Sequence, residues 1–275
     1  RETDVSIDTG TGASEVTFRT TIDSATGETN NLTIDADAGI VEFNGSLGAS
    51  DELNLFTVTA ADQVNFGSED TLMTTGDGPV ALVNTVGAIN IGVGANEVSS
   101  GIMFNGGTGG GLLTIQTTGD AVRLNGPVTL KTDVLIDTDL SNSEGGDVTF
   151  TRAATIDSDT SEANDLTIDA GTASVFFNAN IGTAANGELG RLVVDEADGG
   201  VTFGESDTNL GAGSTSFVTA IELVGDGVNA ALDIGTGADE ILGTGIMFNG
   251  GTAADLLSIQ TTGDAVRLNG AVVLK

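Results

Sequence analysis

The sequence predicts an all-β chain wound into a right-handed parallel β-helix, or β-solenoid, with about 25 residues and roughly three short strands per coil. Three observations carry this prediction: long-range repetition, a phenylalanine period of about 25 residues, and apolar residues that alternate over very short runs.

The repetition divides the chain. Gly101 to Thr108 (GIMFNGGT) recurs at Gly245 to Thr252, and Ile115 to Gly126 (IQTTGDAVRLNG) recurs without change at Ile259 to Gly270. Nearer the start, Thr3-Asp4-Val5 matches Thr132-Asp133-Val134, and Leu32 to Ala36 matches Leu166 to Ala170. The offset grows from 129 to 134 to 144 residues along the chain. Residues 1–131 and 132–275 are therefore expected to be two β-solenoid units of one continuous solenoid. The second copy has gained residues where the pattern tolerates them, in surface loops.

Inside each unit the shorter period appears. Phe18, Phe43 and Phe66 lie 25 and 23 residues apart, and their counterparts Phe150, Phe177 and Phe203 lie 27 and 26 apart. Each ends an apolar–x–apolar triplet such as Val16-Thr17-Phe18 or Val41-Glu42-Phe43. Alternation over three to five residues is the pattern of a short strand with one buried face, whereas a helix needs apolar residues at i, i+3 and i+4 over about ten residues. Stacked coils would place Phe18, Phe43 and Phe66 in an internal ladder. At ~4.8 Å per coil, about eleven coils would make a rod of about 50 Å.

Strand ends carry a consistent signature. Phe43-Asn44-Gly45, Phe104-Asn105-Gly106, Leu124-Asn125-Gly126, Phe248-Asn249-Gly250 and Leu268-Asn269-Gly270 all leave the strand through Asn-Gly. Both residues tolerate positive φ, which a sharp corner is expected to use, and Asn side chains can bond to the neighbouring coil.

Composition sets the function classes. Forty acidic against eight basic residues give a net charge of −32, which repels nucleic acid and anionic lipid and excludes both as expected partners. Acidic chains are often disordered, but 39% hydrophobic residues and a mean hydropathy of +0.15 supply a core here. His and Cys are absent, which removes the usual general base near neutral pH, the commonest zinc ligand and all disulfides. No apolar stretch approaches the ~18 residues that span a bilayer as a helix, so membrane insertion is not expected.

Hard cations are the remaining ligand class. Asp35-x-Asp37-x-Gly39 and Asp137-x-Asp139 group carboxylates as calcium prefers, so Asp35, Asp37, Asp137 and Asp139 are the candidate metal ligands. Both sequences lack the full Asp-x-Asp-x-Asp-Gly loop. The paired acids Asp35 and Asp37, Asp157 and Asp159, and Asp195 and Glu196 are the candidates for glycosidase chemistry. An active site would break the repeat in one place, and no unique constellation of acid, base and Arg does so, so turn acids are the expected role and no catalytic or cofactor-binding residue is predicted. The bases recur in place, Arg123 with Arg267 and Lys131 with Lys275, and are expected to pair with acids.

The ends match the internal junction. Val272 to Lys275 resembles Val128 to Lys131, which runs directly into Thr132-Asp133-Val134, and the chain opens with Thr3-Asp4-Val5. No capping segment is apparent, which predicts either a window of a longer array or subunits stacked end to end. The segments Leu32 to Gly48 (LTIDADAGIVEFNGSLG) and Leu166 to Gly182 (LTIDAGTASVFFNANIG) resemble the repeats of very large bacterial surface proteins of the filamentous-haemagglutinin and autotransporter-passenger type. The resemblance implies a right-handed β-helix, secretion to the extracellular side or cell surface, and adhesion or fibre formation, with a cell-surface or polysaccharide target. The expected function is thus a structural building block of an extracellular fibre or adhesin whose partner is a copy of itself, and not an enzyme. The alternatives are a carbohydrate-binding or carbohydrate-cleaving β-helix and a calcium-stabilised surface-layer component. Against the carbohydrate reading, Trp and Tyr are absent, and sugars stack on those rings.

Overall fold

Short alternating strands cannot satisfy their backbone groups alone, so they must pair with neighbours, and Gly-rich connections long enough to cross a face allow parallel pairing. The computed structural model, which describes residues 3–67, 80–94, 98–106, 111–140, 144–160, 162–204, 218–236, 240–250 and 256–275, is a parallel β-helix with 25 strands and no helix among those residues. The strands form three long parallel faces. The first face has ten strands, from Val5–Asp8 to Gly270–Leu274. The second has six, from Val16–Phe18 to Ile156–Ser158, and continues through a single bridging residue, Ile181, into Ala220–Leu223 and Ser258–Thr261. The third has seven, from Leu82–Thr85 to Val266–Leu268, and is led by bridges at Ile22 and Leu47. The chain visits the faces in turn, so each strand lies beside the strand one coil earlier.

Coil length follows the sequence period only where no loop intervenes. Successive first-face partners Val122, Val148, Val175 and Val201 are 26, 27 and 26 residues apart, but Phe56 to Ile89 takes 33 and Val201 to Ile246 takes 45. The long coils reduce the expected eleven to nine complete coils plus one further strand.

Every second residue of a strand points inward, and these residues form one continuous core. Phe18, Phe43 and Phe66 stack as expected, with centroids 5.2 Å apart in both pairs, and Phe104 continues the column at 5.5 Å. Phe150, Phe177, Phe203 and Phe248 form a second column at 5.3, 4.9 and 5.0 Å. Each fully buried ring is worth roughly 1.5–3 kcal/mol of burial, with offset stacking adding about 0.5–1.5 kcal/mol per pair.

The two columns do not lie on the same face. Phe18 to Phe104 line the second face, whereas Phe150 to Phe248 line the first. The cause is a count. The 25 strands and the bridging positions Ile22, Leu47 and Ile181 make 28 rungs among the described residues, 14 in each repeat unit. Fourteen is not a multiple of three, so the second unit starts one face out of phase with the first. Where the columns change over, Leu130 lies beside Phe104 on the second face and Leu124 beside Phe150 on the first.

Candidate functional site

The corner glycines do something other than expected. Gly45, Gly106, Gly126, Gly250 and Gly270 are absent from the positive-φ positions, as are the Asn residues before them. At Gly45 and Gly126 packing requires the hydrogen side chain: a Cβ on Gly45 would lie 2.4 Å from the Thr20 carbonyl carbon, and one on Gly126 would lie 2.5 Å from the Val98 oxygen. The neighbouring coil's backbone occupies that space. Positive φ occurs instead where Gly replaces the corner Asn, at Gly67 (φ 78°) and Gly204 (φ 83°). Among the Asn side chains, Asn125 bridges coils by accepting a hydrogen bond from Thr151 Oγ1 at 2.7 Å, while Asn44 bonds to Glu42 of its own coil at 2.6 Å.

The calcium candidates are split between faces. Asp35 ends a first-face strand, Leu32–Asp35, and Asp137 ends a third-face strand, Val134–Asp137, several coils away. Each first Asp of a pair folds back to accept the backbone N–H two residues on: Asp35 from Asp37 at 3.2 Å, Asp137 from Asp139 at 2.9 Å. Asp8 does the same for Gly10 at 2.7 Å and Asp169 for Gly171 at 3.1 Å. The recurrent acid thus closes a turn. Among the described residues no group of three acidic side chains is arranged to hold a metal ion.

Asp157 and Asp159 share this structural role. Asp157 accepts the N–H of Ala184 in the next coil at 2.8 Å, while Asp159 accepts that of Thr160 at 2.8 Å and pairs with Lys131 at 3.3 Å. Arg123 and Arg267 pin neighbouring coils together. Arg267 bonds Asp233 at 2.5 Å and the Gly235 carbonyl at 3.1 Å, and Arg123 bonds the Gly92 carbonyl at 2.6 Å. The sequence signal for this clamp is Ile-Asn-Ile-Gly (89–92) and Leu-Asp-Ile-Gly (232–235), each opposite the Arg of the next coil.

Burial, with neighbouring acids adding to it, raises two of the stacked carboxyls. Burial pushes the carboxyl of Asp169 up, with Asp137, Asp195 and Asp139 adding to the shift. Burial, then the nearby Asp133 carboxylate, push Asp165 up to about 6, against the pull of Arg191 at 3.9 Å. The folded chain therefore holds this proton more tightly than the unfolded chain, whose Asp titrates near 3.8. The associated stability is complete below pH ~3.8 and is lost as pH rises through about 6. Asp165→Asn is expected to melt higher than the parent at pH 7 and to converge with it near pH 4. Thermal melts across that range check this, and parallel pH profiles for the two proteins would refute it.

The outermost described strands are paired on one side only within this sequence. Ser258–Thr261, Val266–Leu268 and Gly270–Leu274 lie at one end of the three ladders, and Val5–Asp8 and Val16–Phe18 at the other. Apolar side chains are exposed at both ends, among them Leu274 at 79% and Val5 at 47%.

These features define a repeat-built parallel β-helix whose polar side chains serve its corners and coil contacts. No family model, curated protein or solved structure matches the chain.

Proposed function

We propose that the chain is a structural building block of an extracellular fibre or surface adhesin, assembling end to end through its strand edges. The observation that carries this reading is the junction between the two units. Strands Leu113–Thr117, Val122–Leu124 and Val128–Leu130 continue into Val134–Asp137, Val148–Phe150 and Ile156–Ser158 with unbroken parallel pairing. A unit that stacks on its own copy without a cap or change of pairing suits an open-ended array. The acidic surface suits a solvated exterior, and the role follows from length and stiffness.

Electron microscopy of the purified chain is the test. Filaments many times longer than the ~45 Å that nine coils and a further strand span at ~4.8 Å per coil are expected. Uniform single rods at all concentrations and salt levels would refute assembly. Higher salt is expected to lengthen the filaments, because it screens repulsion between rods of net charge −32. Melting in calcium and in chelator separates the calcium-stabilised alternative, which requires a large shift between the two.

A further inference from the structure

We propose that a second copy of this chain docks on the coil end formed by Ser258–Thr261, Val266–Leu268 and Gly270–Leu274, rotated by one third of a turn about the rod axis, with its Ser6 laid beside Ser258. This inference rests on the end-to-end reading, with residues 1–275 taken as the repeating subunit, and specifies what that reading leaves open, the register and symmetry of the joint.

The internal junction supplies the template. There Ile115 pairs with Ile136, Thr114 with Leu135, Val122 with Val148, Leu124 with Phe150, and Val128 with Ile156. The accepting surface recurs at the end of the second unit, where Ile259 to Gly270 is identical to Ile115 to Gly126. The docking surface recurs at the start of the first. Thr3-Asp4-Val5 matches Thr132-Asp133-Val134, Val16-Thr17-Phe18 matches Val148-Thr149-Phe150, and Thr21-Ile22-Asp23 matches Thr155-Ile156-Asp157. Carrying the internal register across places Ile7 beside Ile259, Val16 beside Val266, Phe18 beside Leu268 and Ile22 beside Val272. The half-exposed Val5, Val266 and Val272 then become core positions, and the Phe18 to Phe104 column gains Leu268 as its end plate, as Leu124 lies beside Phe150. Asp8 comes to lie beside Gln260, as Asp137 lies beside Gln116, so the joint sets an amide rather than a second carboxylate against this acid.

The rotation follows from the rung count. The twenty-eight rungs among the described residues make nine and one third coils on three faces, and the last of them, Gly270–Leu274, lies on the first face. A helical stack ends as a ramp, so its next place is on the second face, over Ser258–Thr261. An unrotated copy would seat Val5–Asp8 on Gly270–Leu274 instead and leave the second and third faces of that coil unfilled. A stack of such 275-residue copies therefore advances by about 45 Å per copy, at ~4.8 Å per coil, and turns by one third. Surface features of one copy consequently appear on all three faces of the assembly in succession.

Cysteine pairs read the register directly, because the chain has no cysteine. Ser6 and Ser258 both sit at outward positions of their strands, by analogy with Leu135 and Thr114. Adjacent parallel strands lie ~4.8 Å apart, within reach of a disulfide. The S6C/S258C variant is expected to give a ladder of covalent multimers on mild oxidation. S6C/V273C, which matches the unrotated joint, is expected to give none. Helical reconstruction of the unmodified filament should show one third of a turn per chain. Multimers from S6C/V273C alone, or filaments lacking that rotation, would overturn the register while leaving end-to-end assembly standing. Absence of filaments and of multimers from either variant would overturn both.

Discussion

Phe177→Asp is expected to unfold the coils around it and to leave a chain that is cleaved there by protease at temperatures where the parent is intact. Phe177 is fully buried, between Phe150 at 5.3 Å and Phe203 at 4.9 Å, both nearly parallel to it. Removing a buried Phe costs about 3–5 kcal/mol, of which two stacked pairs account for ~1–3 kcal/mol. The new carboxylate adds several kcal/mol more unless it takes up a proton. That sum is comparable with the ~5–15 kcal/mol that holds an ordinary domain together. Each coil contacts only its neighbours, so the damage should stay local and broaden the melt rather than abolish the whole fold. Phe176→Asp is the control. Phe176 is the next residue on the same strand but points outward and is only partly buried, so its replacement should change little. An unchanged melt and unchanged proteolysis for Phe177→Asp would show that the column is not the stabilising core.

That column was legible in the sequence because a large ring every 25 or so residues favours stacked coils over antiparallel hairpins, whose turns would recur every 8–12 residues or so. The faces were not legible. Aligned copies of a repeat give residue correspondence, but the face a residue occupies depends on the rung count modulo three. Several rungs are single residues. Ile22 is flanked by Thr21 and Asp23, and the rung of Leu47 is completed by Leu53 after a five-residue loop, so neither shows an alternating run. Ile181 and Leu189 repeat that arrangement in the second unit. Asp35, Asp37, Asp137 and Asp139 were visible as an acidic spacing, yet the same spacing is what a turn closed by an Asp side chain requires. Sequence alone does not separate the two chemistries; the structure adds that Asp35 and Asp137 each accept the backbone N–H two residues on. The centre of the Gly-rich run Gly106-Gly107-Thr108-Gly109-Gly110-Gly111, residues 107–110, lies outside the described residues.

Gly182→Ala carries the second large effect, because this glycine meets two demands at once. Its φ is +70°, and a Cβ would lie 2.0 Å from the backbone oxygen of Glu222 in the next coil. That oxygen cannot easily withdraw. Glu222 N donates to Ile181 O at 2.9 Å, and Gly182 N donates to Ile156 O at 2.7 Å, so three successive coils are tied at this point. Gly48 meets the same demands in the first unit, with φ +65° and Asn84 O at 2.1 Å from its would-be Cβ. The left-handed conformation alone costs an Ala about 1–2 kcal/mol. Forcing the coils apart must break ladder hydrogen bonds as well, which brings the expected loss to roughly 3–5 kcal/mol, at the upper end of single substitutions. Two further glycines separate the causes. Gly27 has φ +81° with open space around it, so Gly27→Ala should show only the conformational cost. Gly12 has neither constraint, and Gly12→Ala should be neutral. Melting temperatures of the three variants should therefore fall in the order Gly12, Gly27, Gly182. If Gly182→Ala melts with Gly27→Ala, the coils can part to admit a methyl group, and the close approach that makes this rod stiff is not what demands glycine there.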